Sequence, residues 1–269
     1  MNRNQQTYET ASIVNYYTQL NALQPAEQMI LDRWSESLLR FRMLDIGVGA
    51  GRTTQHFQPR VAEYVGIDVS SEMIDACKNR FPQLTASMFQ VCDARDLSRF
   101  EDNSFDFILF SFNGIDYVSH NDRLRILTEV HRVGVSGAIF CFSSHNLQGF
   151  DRSFDFKAQW SFNPIATYTN LVMLAILRVL NHPLNPKQIK GLSYAIVKDE
   201  SHNFRLDTYY IRPQEQLNQL TEKFNNIQVY SWRNDVELVT ESDRANNTDQ
   251  WLYYVCTNME AIDHRKTAI

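Results

Sequence analysis

The stretch LDIGVGAGRTT, residues 44–54, constrains this chain more than any other. Three glycines at alternate positions follow an apolar run and precede a helical pattern. Glycine permits positive φ and lets a ligand approach the main chain closely. A helix that starts after such a loop favours negative charge at its N-terminus. Two phosphate readings nevertheless fail on spacing. A phosphate loop ends in Gly-Lys-Ser/Thr, whereas Gly51 is followed by Arg52, Thr53 and Thr54. A dinucleotide fingerprint is G-x-G-x-x-G, and after Gly47 and Gly49 the third glycine, Gly51, comes one residue early. A carboxylate, Asp45, also sits inside the end of the preceding apolar run.

The loop belongs to a regular frame. FRMLDI (41–46), AEYVGID (62–68), SMFQVCD (87–93), FDFILFSF (105–112) and GAIFCFSS (137–144) are short runs rich in Phe, Val, Ile or Tyr, which predicts buried strands. Helical patterns separate them. Ser70 or Ser71 can cap a helix through EMIDACKNRF, with Pro82 just past its end. After Asn121 the positions Leu124, Leu127, Thr128 and His131 predict a helix face, on which His131 is read as structural. Alternation of this kind predicts a mainly parallel α/β sheet covered on both faces.

From about 147 to 206 the rhythm breaks. Phe150, Phe154, Phe156, Trp160, Phe162 and Tyr168 precede an apolar helix, LVMLAILRVL (171–180), then Pro183 and Pro186. The segment is too long for an ordinary connection and predicts an inserted, mostly helical cap. The frame resumes with RPQEQLNQLTEKF, then IQVYSW (227–232) and WLYYVCT (251–257). Two strands without a crossover helix must be antiparallel.

Composition narrows the function. A net charge of −5 argues against nucleic acid as a partner, since such proteins carry a basic excess. Cys77, Cys92, Cys141 and Cys256 have no paired spacing, so neither a disulfide frame nor a metal site is expected. The polar start MNRNQQTYET carries no apolar signal segment, and the 171–180 run is too short to span a bilayer. The expectation is a cytoplasmic protein without a membrane partner.

Asp68 and Asp93 close the second and third strands, beside Asp45. Ligands of open α/β sheets bind at the carboxyl ends of the strands. Three carboxylates and a glycine turn there suit a ligand with hydroxyls, an amine and positive charge. Read singly, Asp45 could be a loop cap and Asp68 a helix cap.

Together with VGIDVSSEMI, FQVCDARDL, FDFILFSFNGIDYV and EVHRVGVSGAIFCF, in that order, the opening LDIGVGAG resembles the class I S-adenosylmethionine-dependent methyltransferases. The resemblance covers residues 40–145 and extends to the last helix and strand pair. It implies a Rossmann-like seven-stranded sheet with an antiparallel last strand, helices on both faces and the inserted cap. It implies S-adenosylmethionine as cofactor. Asp45, Gly47, Val48, Gly49 and Gly51 would face its methionine end. Asp68 would take the ribose hydroxyls and Val69 would pack on the adenine. Asp93 and Ala94 would bind the adenine edge, and Ser111, Phe112 and Asn113 would line the methyl-transfer site. Tyr16 and Tyr17, in SIVNYYTQL, resemble aromatics that close over the cofactor; core packing is the rival reading. One departure is Ser136-Gly137-Ala138 where relatives often carry Gly-Gly.

The acceptor side is less defined. His145 follows the fifth strand at the substrate edge and is the candidate base; a turn histidine is the rival. Asn113 and Asp116 are candidate substrate contacts, with loop capping the plain alternative for Asp116. Arg205, Tyr209 and Tyr210 follow the insertion and could reach inward, Arg205 to a substrate carboxylate. NGID is not the Asn/Asp-Pro-Pro-Tyr/Phe signature of base methylation. The aromatic insertion suggests an apolar acceptor pocket, or the cap's own core, or a contact in a homodimer.

The chain is therefore divided into lid helices (1–39), a cofactor-binding core (40–146), the cap (147–206) and a C-terminal helix and strand pair (207–258), all one domain. The expected activity is methyl transfer to an O or N atom of a small, partly apolar molecule, in secondary metabolism. The alternatives are a peptide or protein carboxyl acceptor, a nicotinamide oxidoreductase and a non-catalytic binding module.

Overall fold

Strand β1 (Arg42–Ile46) is buried from Met43 onward and paired in parallel on both flanks, with β2 (Glu63–Asp68) and β4 (Phe105–Phe110). The computed structural model describes residues 10–260. Residues 1–9, the start of the expected lid and most of the polar opening, lie outside the described residues. β2 continues to β3 (Phe89–Val91) and β4 to β5 (Gly134–Asn146), all parallel. Near-continuous apolar runs form these strands because both faces of a parallel sheet are covered. β5 then pairs antiparallel with β9 (Trp251–Asn258), and β9 with β8 (Phe224–Ser231). These seven strands are the expected frame.

Helices cover both faces. Among the described residues three precede the sheet: α1 (Ala11–Gln19), α2 (Pro25–Arg33) and α3 (Ser35–Leu38). The helix expected after the glycines is one turn, α4 (Thr54–Phe57), too short to align a useful dipole. α5 (Ser71–Arg80) is capped by Ser70, whose hydroxyl accepts from the Met73 amide. α6 (His120–Val133) buries Arg123, Ile126, Leu127, Val130 and Val133. The expected stripe was one position off, since Leu124 is exposed. One core cluster holds Ile46, Phe110, Ile126 and Phe142; another holds Met43, Phe57, Leu109 and Tyr253.

The insertion departs from expectation. It contains α7 (Leu147–Phe154), α8 (Pro164–Leu180) and α9 (Pro186–Lys190). It also supplies strand β6 (Tyr194–Val197), which pairs antiparallel with β7 (Thr208–Ile211) just beyond it. The sheet therefore has nine strands. β6 is only four residues long, so its pattern is lost beside the apolar helix. α10 (Pro213–Thr221) leads into β8, and α11 (Glu241–Asn246) lies between β8 and β9.

The hairpin joins the frame at one place. His145 pairs with Trp251 of β9 and, in parallel, with Tyr210 of β7. A strand residue has one neighbour on each flank, so β7 takes the flank that β4 leaves after Phe110↔Phe142. β5 thus rises past the sheet edge and carries the insertion on its last residues. The insertion has its own core of Leu147, Phe150, Phe154, Leu177, Val197 and Tyr210. Phe156, Trp160, Phe162 and Tyr168 stay exposed, so these four aromatics do not form the apolar pocket expected of them.

Candidate functional site

The carboxyl ends of β1, β2, β3 and β4 enclose a pocket. Asp45, Gly47, Val48, Gly49, Asp68, Val69, Asp93, Ala94, Ser111, Phe112 and Tyr17 all line it. Gly51, Asn113 and Tyr16 do not. The glycine spacing is explained by backbone geometry: Gly47, Gly49 and Gly51 have φ of +64°, +54° and +80°. A Cβ on Gly51 would stand 2.4 Å from the Phe81 ring, whereas one on Gly49 would meet nothing within 4 Å. Gly51 is thus a packing glycine behind the loop, and Gly49 borders open space in the pocket.

Asp68 braces the loop. One oxygen accepts from the Gly49 amide at 3.0 Å and the other from the Ser70 amide at 2.9 Å. The Val69 amide bonds to it as well, and a carboxylate has about four acceptor sites, so about one remains for a hydroxyl donor. Burial pushes its carboxyl up to about 6. Asp45 is buried and accepts from Thr53 Oγ1 at 2.6 Å and Tyr64 Oη at 2.7 Å. Burial raises it to about 6 as well, against those two bonds.

Asp93 is not free at the adenine position. Its two oxygens accept from Arg95 Nε at 3.0 and 2.9 Å. Burial pushes its carboxyl up, but the Arg95 bonds outweigh this and hold it below the usual range.

Sequence reading missed a buried cluster behind the loop. Arg52 reaches Glu27 of α2 with both terminal nitrogens, at 2.5 and 2.6 Å. Ser111 and Tyr253 donate to the same carboxylate, Tyr253 at 2.9 Å. Burial raises the Glu27 carboxyl, but the Arg52 bond and charge hold it below its ordinary value. The Arg52 guanidinium also lies 4.9 Å from the centre of the Phe112 ring. The partners are 25 residues apart, so no local spacing signals them.

Beyond β4 the chain turns sharply. Phe112 and Asn113 both have positive φ, 59° and 63°. Two adjacent non-glycine residues there cost about 1–2 kcal/mol each, and such strain gathers at functional sites. Phe112 packs edge-on to Tyr17 of α1 and Trp251 of β9.

The turn delivers Asp116, which is fully buried. It accepts from the His145 amide at 2.6 Å and lies 2.8 Å from His145 Nδ1. It also accepts from Ser144 Oγ at 2.9 Å and forms an ion pair with Arg123. The candidate role of Asp116 as a substrate contact is corrected: every side of the carboxylate is occupied by protein, and it orients His145.

His145 lines a second cavity of about 340 Å³ between β5, β9 and the insertion. Tyr210 stands on its wall, 4.8 Å from the His145 ring. Tyr117 of the first pocket is edge-on to His145 at 6.2 Å. The histidine thus lies between the two pockets. Asn113 lines neither; its Nδ2 is 3.3 Å from His145 Nε2. Tyr209 is fully buried, stacked on Tyr194 and hydrogen-bonded to His120, so it faces neither pocket. Arg205 is exposed and Tyr16 is 55% exposed, and neither lines a pocket.

Residues 43–137, which hold the glycine loop, Asp68, Asp93 and the β4 turn, match the family described as Methyltransferase domain. Residues 43–137 thus carry a methyltransferase domain. Outside this methyltransferase domain the similarity thins. The magnesium-protoporphyrin O-methyltransferase of Rhodobacter capsulatus is 31% identical over 42% of this chain and 49% of its own length. The chain spans about half the length of the curated relatives it matches. Folds agree over more. N-methyltransferase NodS from Bradyrhizobium japonicum, solved with S-adenosyl-L-homocysteine, superposes with TM-score 0.57 at 15% identity, over 96% of this chain and 100% of that one. A methyltransferase from Mesorhizobium loti gives TM-score 0.58 at 16% identity, over 86% and 97%.

The pocket fits the methyltransferase cofactor. Gly49 leaves room above the main chain, Asp68 keeps an acceptor site, and Val69 and Ala94 offer apolar walls. Among the described residues no cluster of three metal-ligand side chains exists, and no helix is long and apolar enough to cross a membrane.

Proposed function

We propose that this protein moves a methyl group from S-adenosylmethionine to an O or N atom of a small, partly apolar molecule seated under the insertion, with His145 as the base. The observation that carries the reading is the position of His145, between the glycine-loop pocket and the cavity. S-adenosylmethionine, when bound, supplies an electrophilic methyl on its sulfonium. The protein's task is then to hold the acceptor in line, which can lower the barrier by about 7–11 kcal/mol, and to remove a proton.

Asp116 accepting from Nδ1–H would make the Nε2 lone pair the base once Asn113 Nδ2, 3.3 Å away, gives way to the acceptor. A positioned base contributes roughly 10²–10⁴-fold. Asp45 and Gly47 would bind the methionine end and Asp68 the ribose. Asp93 would serve the adenine only if Arg95 yields. Phe112 and Tyr17 would close the donor pocket towards the acceptor.

Titration calorimetry with S-adenosyl-L-homocysteine and with NAD tests the donor. Binding of the first alone is expected, and binding of NAD alone would overturn the reading. Methyl transfer from labelled S-adenosylmethionine into a pool of small metabolites tests the acceptor. Labelled protein or peptide instead would favour the carboxyl-methylating alternative.

A further inference from the structure

The cavity beside His145 has an unbalanced lining. Asp199 and Glu200 bring two carboxylates to it, and no lysine or arginine is among its lining residues. Among the described residues His145 is the one basic side chain that lines it. Asp199 is 4% exposed. One of its oxygens accepts from Tyr210 Oη at 2.8 Å and the other from the Ser201 amide at 2.9 Å. Those two bonds hold the carboxylate against the cavity, and a carboxylate has about four acceptor sites. Glu200, next in the chain, is exposed and stands at the margin.

The remaining walls mix apolar and aromatic side chains with the neutral polar Ser153, Gln159, Asn170, Ser201 and Gln250. Trp251 and Tyr210 flank His145, while Leu174 and Leu177 close the side formed by α8. Aromatic faces attract cations, and a buried carboxylate repels an anion. A partly apolar ligand with a positive end matches this surface, and a carboxylate ligand does not.

We propose that the acceptor carries a cationic nitrogen as a binding handle, held by Asp199 and Glu200, on an apolar body that reaches His145. This rests on the reading of the cavity as the acceptor site. The handle is not the reacting atom. Tyr210 separates the two ends: its ring lies 4.8 Å from His145 and its hydroxyl 2.8 Å from Asp199. The charged nitrogen therefore sits about one tyrosine ring away from the atom that faces His145. The same charge pattern counts against a substrate carboxylate paired with Arg205.

The test uses three probes of one shape: 2-phenylethylamine, 2-phenylethanol and 3-phenylpropionate. Each is titrated calorimetrically, to millimolar concentration, into the full chain saturated with S-adenosyl-L-homocysteine. The amine is expected to bind at least ten-fold tighter than the alcohol, and the propionate not at all. Asp199→Asn should lose that ten-fold advantage while thermal midpoint and S-adenosyl-L-homocysteine affinity hold. Glu200→Gln, at an exposed position, should lose a few-fold, and serves as the variant if Asp199→Asn does not fold. Propionate binding as tightly as the amine would overturn the proposal, as would no amine binding, or amine affinity unchanged in both variants. Failure of S-adenosyl-L-homocysteine to bind would defeat the donor reading alone; the three probes are then compared in the ligand-free chain.

Discussion

Asp116 grips His145 twice, through the backbone amide at 2.6 Å and through Nδ1 at 2.8 Å. One carboxylate oxygen thereby fixes both where the histidine backbone lies and which way its ring faces. The other oxygen is held by Arg123 and Ser144, so the pair is rigid before any substrate arrives.

His145→Ala is expected to lower kcat by about 10²–10⁴-fold, with S-adenosyl-L-homocysteine affinity unchanged. Asp116→Asn should lower kcat and shift the acidic limb of the pH–rate profile, where a base gains its proton, because the amide can present its NH₂ to Nδ1 and change the tautomer. A kinetic pH profile identical to wild type in both variants would remove the histidine from proton transfer.

Asp68→Ala removes the bonds to the Gly49 and Ser70 amides and the proposed acceptor of the ribose hydroxyls. Bonds to a charged group are worth about 1.5–3 kcal/mol, which predicts a loss of roughly 10- to 150-fold in S-adenosyl-L-homocysteine affinity. Calorimetry reads this directly, and equal affinity would place the ribose elsewhere.

Two glycine variants should separate folding from binding. Gly51→Ala meets Phe81 and Cys77 at a φ of +80° and should cost about 2–4 kcal/mol from strain and overpacking together. Gly49→Ala meets no atom and should cost about 1–2 kcal/mol from φ alone, yet put a methyl into the donor pocket. Denaturation midpoints and S-adenosyl-L-homocysteine titrations should therefore rank the pair in opposite orders.

Asp45 gives a pH signature. Its carboxyl titrates at about 6 in the fold and at about 3.9 in the unfolded chain. The native state holds the extra proton between these values, so this group's contribution is present below pH 4 and lost as pH rises through 6. The loss is up to about 3 kcal/mol. Asp45→Asn should gain stability relative to wild type across that window in ligand-free chemical denaturation. A constant difference from pH 4 to 7 would show that burial does not shift this carboxyl.

Glu27→Gln tests the cluster behind the loop. Removing one charge of a buried pair typically costs about 3–5 kcal/mol, and Arg52 would be left facing a neutral amide. A loss under 1 kcal/mol in urea denaturation would mean that α2 is held by packing instead.

How much of this was legible depended on sequence distance. The strands, the Ser70 cap and the three glycines announce themselves within a few residues, because backbone geometry and periodicity are local. The acids at the strand ends follow once the sheet is assumed. The partnership of Glu27 with Arg52, and of Asp116 with His145, is set by tertiary packing and has no spacing to betray it. Tyr209 and Tyr210 are adjacent, and strand alternation sends one to the His120 stack and the other to the cavity. The hairpin of β6 and β7 was hidden for another reason: four-residue strands yield less periodic signal than the long helix before them.

The shared strand β5 has a consequence for how such a protein can change. Its ladder with β4 and β9 belongs to the frame, while only His145 and Asn146 are laddered to the hairpin strand β7. That two-residue seam lets a differently built canopy be exchanged above it while the glycine loop and Asp68 keep their places. On the proposed function, donor recognition and acceptor choice are thus separately heritable, joined at His145 and Asn146.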